Sequence, residues 1–131
     1  MRNPTRSIFI VVAAALLQSC TSPFDGTICT DQFVYGLNVT VLDSITLSPP
    51  AKATLLARSG AFADSVGPRA PFPLSNGGPP MLILSTAGER AGVYDITVKA
   101  PGYRDWTKNA VTVTADVCHV NPVPVTAKLQ Q

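Results

Sequence analysis

The residues able to do chemistry in this chain are few. There is one histidine, His119, and one glutamate, Glu89, beside three cysteines, Cys20, Cys29 and Cys118. A hydrolytic zinc centre of the two-His, one-Glu kind needs more histidine than the chain has. Cys118 and His119 are adjacent, and neighbours on an extended strand point to opposite faces, so the two are badly placed to share one ion. The expectation is no catalytic residue, no metal and no cofactor. Trp106, with Asp105 and Tyr103 beside it, offers an aromatic surface of the kind that meets a sugar ring. Phe72 sits in a proline-rich stretch and offers a second apolar contact. Each has a plainer reading: a lone Trp on a strand is more often packed, and a proline-rich insertion between strands is more often only tolerated.

The N-terminal twenty residues determine how the cysteines are read. Arg2 and Arg6 precede an unbroken apolar run from Ile8 to Leu17. A membrane-spanning helix needs about 20 apolar residues; this run is half that, which fits the core of a secretory signal peptide, against the competing reading of an uncleaved anchor. Leu17-Gln18-Ser19-Cys20 then resembles the lipobox of bacterial lipoproteins, with a leucine three residues before the cysteine and a small residue directly before it. The resemblance implies a signal peptide over 1–19 and cleavage before Cys20. The Cys20 thiol would take up a diacylglycerol, and the N-terminal lipid anchor would hold the chain on a membrane. The alternative leaves Cys20 as a third structural cysteine. Thr21, where an aspartate would resemble an inner-membrane retention signal, favours the outer membrane.

Removal of residues 1–19 leaves 112 residues: a lipidated tether over 20–32 and one domain over 33–131. The full chain carries ten Lys and Arg against eight Asp and Glu. Without Arg2 and Arg6 the charges balance, and no basic stripe of the kind a nucleic-acid binder shows is present, so no nucleic-acid partner is expected. With Cys20 acylated, Cys29 and Cys118 are left as a pair in an oxidising compartment, where a disulfide is the usual outcome and two buried thiols the other. Such a bridge would staple the two ends of the domain.

Alternation with a period of two dominates the rest. Leu37, Val39 and Val41; Ala53, Leu55 and Ala57; Tyr94, Ile96, Val98 and Ala100; Val111 and Val113; and Val123, Val125, Ala127 and Leu129 all alternate with other residues, mostly polar, as half-buried strands do. Weaker strands are expected at Phe62–Val66, Met81–Leu84 and Tyr103–Thr107. Ser48-Pro49-Pro50, Ser59-Gly60, Gly88-Glu89-Arg90 and Pro101-Gly102 supply turns, and Pro68 to Pro80 reads as a loop. Pro124 cannot donate to a ladder, which sends the last strand to a sheet edge. The pattern predicts an all-β, antiparallel sandwich of about seven strands, immunoglobulin-like or transthyretin-like.

Gly92-Val93-Tyr94, Val98-Lys99-Ala100-Pro101-Gly102-Tyr103, Val111-Thr112-Val113 and the closing Val123–Leu129 occur in an order similar to that of the carboxypeptidase regulatory-like domain, a transthyretin-like sandwich. Gly36–Asp43 fits its first strand and Ser59-Gly60-Ala61-Phe62 its second turn. The resemblance covers about two thirds of the mature chain and implies a module appended to secreted and surface proteins. The enzymes of related fold need histidines, or a Tyr-Arg-Gly-Ser tail, that this chain lacks. The functional expectation is a non-catalytic, lipid-anchored envelope module that contacts a protein partner. The alternative is a saccharide- or peptide-binding module using Trp106 and the Phe72 loop.

Overall fold

The computed structural model describes residue 26 and residues 28–131. The alternating runs form seven strands: β1 (Tyr35–Asp43), β2 (Ala53–Ser59), β3 (Phe62–Arg69), β4 (Ile83–Gly88), β5 (Gly92–Lys99), β6 (Trp106–Val113) and β7 (Val123–Leu129). They make two sheets, ordered β4-β1-β7 and β3-β2-β5-β6. The inward residues of both sheets form one core. Leu37, Val39 and Val41 of β1 lie with Leu55, Tyr94, Ile96, Val98 and Leu129, all essentially without solvent contact. Burying an aliphatic side chain of this size is worth roughly 1.5–3 kcal/mol, so the period-two pattern itself drives the pairing of the two sheets.

All-β sandwich and strand count follow the sequence expectation, with corrections in detail. One pair is parallel: β1 runs alongside β7 from Leu37–Val123 to Asp43–Leu129, and the other neighbours are antiparallel. Parallel pairing here means that β6 ends and β7 begins at the end of the molecule where β1 begins, the segment after β6 joining them there. The expected strand at Met81–Leu84 lies further along, at Ile83–Gly88, because Met81 is held instead in an isolated bridge to Phe72. The expected strand at Tyr103–Thr107 merges with Val111–Val113 into the single strand β6, leaving Tyr103 in the preceding turn. The proline-rich loop begins after Arg69, since β3 includes Pro68.

Local chemistry explains the joints. Gly102 turns the chain at φ 83° after Pro101, where a residue without Cβ is needed. At Gly36 an added Cβ would meet Val113 Cγ1 at 2.7 Å and the Ala87 carbonyl oxygen at 2.9 Å, so the two sheets approach here only because that residue is glycine. β7 is an edge strand, as Pro124 requires. The Leu129 carbonyl bonds to Ser44 N on the β1 side, so Pro124, five residues back, directs its missing N–H away from β1 and loses no ladder bond. β6, the edge of the other sheet, is bulged: Asn109 and Ala110 together oppose Asp95. Ala110 takes φ 55°, and its N–H donates to Asp95 Oδ1 at 3.0 Å, a protected edge of the kind that resists pairing with another chain.

Candidate functional site

Cys29 and Cys118 are joined by a disulfide, with Cα atoms 5.2 Å apart. It ties the segment leading into β1 to the loop between β6 and β7. That loop is ordered by Asp116, whose Oδ1 accepts the N–H groups of Cys118 (2.8 Å) and His119 (2.9 Å). The bond from His119 N–H, then that from Cys118, holds the Asp116 carboxyl below its ordinary pKa. An Ala115–Val120 bridge closes the loop and Val120 is buried beneath it.

Beside the disulfide, sequence reasoning missed a linkage. The Nδ1 of His119 lies 2.9 Å from Glu89 Oε1, and its Nε2 lies 3.1 Å from Thr30 Oγ1. The same Glu89 oxygen accepts the Val34 N–H at 2.7 Å. Burial pushes the Glu89 carboxyl upward, but the Val34 N–H and His119 outweigh it and hold it below its usual range. A hydroxyl, an imidazole and a carboxylate in line is the geometry that activates a nucleophile in hydrolases. Here the same Glu89 oxygen also accepts the Val34 amide, which fixes the carboxylate to the segment leading into β1. The group acts as a tie that fastens the β1 lead-in, the β4–β5 turn and the β6–β7 loop into one unit with the disulfide. Nothing local in the sequence joins positions 30, 89 and 119; only the sandwich brings them together. Among the described residues, no cluster of three or more His, Cys, Asp or Glu could hold a metal ion.

The two aromatic candidates are not brought together. Trp106 opens β6, opposite Val98, and is half-buried against the core. Phe72 follows β3, is 44% exposed, and is pinned by paired backbone bonds to Met81 of 2.8 and 3.0 Å. β3 and β6 are the two edges of one four-stranded sheet, and three strand spacings put those edges roughly 14 Å apart. No single sugar ring touches both. Cys20, the expected lipidation site, lies outside the described residues.

Two clefts open at the end of the sandwich away from the disulfide. One, of about 450 Å³, lies between the outer face of β1 and the proline-rich loop, with Thr40, Leu42, Leu47, Pro71, Leu74 and Pro80 among its walls. The other, of about 310 Å³, is lined by Lys52, Thr54, Pro68, Lys99 and Pro101 with Ala53 and Ala100. At this end Asp43, only 5% exposed, holds the β1–β2 connection. Its Oδ1 accepts the N–H groups of Ile45 and Thr46, each at 2.8 Å, and its Oδ2 accepts the Tyr103 hydroxyl at 3.0 Å. The Thr46 and Ile45 amides, with Tyr103, keep the Asp43 carboxyl below its normal pKa. Tyr103 is thus a packed residue with a structural bond. Asp64 does similar work between the sheets, accepting the Thr86 hydroxyl and, at 3.2 Å, the Ala87 N–H.

Comparison with known protein families, curated proteins and solved structures gives no match to this chain.

Proposed function

We propose that this chain is a non-catalytic, lipid-anchored module of the bacterial cell envelope, held at the outer membrane through Cys20, that works by contacting another envelope protein. The observation that carries the reading is Leu17-Gln18-Ser19-Cys20, placed directly after an apolar run too short to span a bilayer. The Cys29–Cys118 disulfide, eleven positions before the end of β7 and at the mouth of the domain, supports it, because such bonds persist in oxidising compartments. The seven-strand sandwich with its Pro101-Gly102 turn supports the resemblance to the carboxypeptidase regulatory-like domain. One acyl chain gives only marginal membrane binding, and the three expected on a mature lipoprotein give a stable hold. A saccharide platform built on Trp106 has weaker support, since Trp106 is half-buried against the core and Phe72 lies off the opposite sheet edge.

Metabolic labelling with a palmitate analogue tests the anchor. The wild-type chain takes up label and partitions with membranes; Cys20→Ala takes up none and is lost from the membrane fraction. Equal labelling of the two would contradict the assignment.

A further inference from the structure

Charge is sorted along the length of the sandwich. The end carrying the disulfide and the halves of the strands nearest it hold Asp31, Asp64, Glu89, Asp95 and Asp116 against Arg58 and Arg90. The other end holds Lys52, Arg69, Lys99, Arg104 and Lys128, all exposed, against Asp43 and Asp105. Lys108 lies between, opposite Ile96. A chain whose described residues come close to neutrality therefore has one acidic end and one basic end. Such sorting steers a charged partner toward the end of opposite sign.

The basic end also has a shape. Lys52 and Lys99 line the 310 Å³ cleft, whose remaining walls are Pro68, Pro101, Thr54 and two alanines. Arg69 stands opposite Ala53 on the neighbouring strand. Of the two carboxylates at this end, Asp43 is buried and engaged. The other, Asp105, lies 2.6 Å from Lys99 Nζ, with both side chains more than half exposed. One of the two lysines lining the cleft thus already pairs with a carboxylate, supplied by the chain itself. An ion pair this exposed is screened by solvent and contributes little, so a carboxylate from outside can replace it.

We propose that this cleft and its basic rim dock an acidic segment of a partner protein, at the end of the sandwich remote from the N-terminal tether. The inference rests on the protein-contact reading above but not on the lipid anchor. A protein segment is favoured over an acidic polysaccharide because the cleft walls are proline rings and methyl groups, with no aromatic face for a sugar ring to stack on. Proline walls hold their shape on binding, which limits the ordering cost to the partner and the lysine side chains.

The test uses the full chain in detergent micelles and a fluorescent oligoglutamate peptide of about 15 residues, with an alginate oligomer of matched charge and a second copy of the chain as competing ligands. The expected result is saturable peptide binding at about 50 mM salt that weakens about tenfold or more at about 300 mM. Binding should be lost in Lys52→Glu/Lys99→Glu and kept in Arg58→Glu, at the other end. Because the lysines are exposed, the variant should keep its unfolding midpoint, and that measurement separates lost binding from lost fold. No peptide binding at low salt, binding that survives Lys52→Glu/Lys99→Glu, tighter binding of alginate, or displacement by self-association would each overturn the proposal. Photo-crosslinkers at Lys52 and, separately, at Val93 then distinguish it from its parent reading in native membranes. Protein adducts from position 93 but not 52 would contradict the basic face while leaving protein contact standing; adducts from neither would remove both.

Discussion

Asp43 shows how a single side chain organises one end of this protein. Its carboxylate receives two backbone N–H groups from the turn that follows β1 and a hydroxyl from Tyr103, which reaches it from the other sheet's connection. Its folded pKa is depressed, so its contribution to stability is fully present above the unfolded value near 4 and is lost as pH falls through the lower folded value. Asp116 and Glu89 have the same sign. Denaturant unfolding followed from pH 7 to pH 2 should therefore show stability falling below about pH 4, with no gain on acidification. Tyr103→Phe should lower the midpoint at pH 7, with the difference from wild type shrinking at pH 2 as Asp43 protonates; an unchanged gap would separate Tyr103 from Asp43. The packed role of Tyr103 is legible from Pro101-Gly102, which folds the chain back on itself. Asp43 was legible in kind, since an aspartate followed by Ser44 and Thr46 favours this turn, but its link to a tyrosine 60 positions away was not. The Thr30–His119–Glu89 line was less legible still, because each residue reads alone as a solvated polar group.

At the scale of elements, the strands with clean alternation are those the sequence locates best: β1, β5 and β7 each bury every second residue. β4 was displaced because its inward side holds Thr86 and two adjacent buried residues, Thr86 and Ala87, break the period. β3 buries none of its residues fully, so its pattern carries little signal at all. The parallel partnership of β1 and β7 is invisible to periodicity, which reports faces and not neighbours. The β6 bulge yields a prediction. Ala110 is held at φ 55°, where a Cβ costs roughly 1–2 kcal/mol and glycine avoids the penalty. Ala110→Gly should therefore stabilise the protein by roughly 0.5–1 kcal/mol after the greater freedom of the unfolded chain is counted. Equilibrium denaturation would show it as a higher midpoint; a lower midpoint would mean that the methyl contributes packing the bulge needs. The disulfide is the stronger element. Its cysteines are 89 positions apart, and a loop of that size is worth up to roughly 4–5 kcal/mol in the chain-entropy model. Cys29→Ser/Cys118→Ser should approach that loss, measured against wild type with and without reductant, and reductant should leave the double variant unaffected.

For the whole molecule, the described residues set two ends apart: a covalently and electrostatically fastened near end, where the segment leading into β1 enters, and a basic far end with its clefts. The disulfide, the His119–Glu89 contact and the Asp116 turn are concentrated at the near end, which in the proposed setting is the end that would take load from an anchor. The far end carries exposed lysines and arginines, at the opposite end of the strands from the disulfide. This division gives physical content to the proposal of an anchored contact module, and it makes the identity of residue 20 the point on which the setting depends. Intact-mass analysis of the protein extracted from membranes of its native host tests that point most directly. The account predicts a polypeptide that begins at Cys20, carries acyl mass on that residue and retains the Cys29–Cys118 bond. A water-soluble product with an unacylated Cys20, or one still carrying residues 1–19, would contradict it.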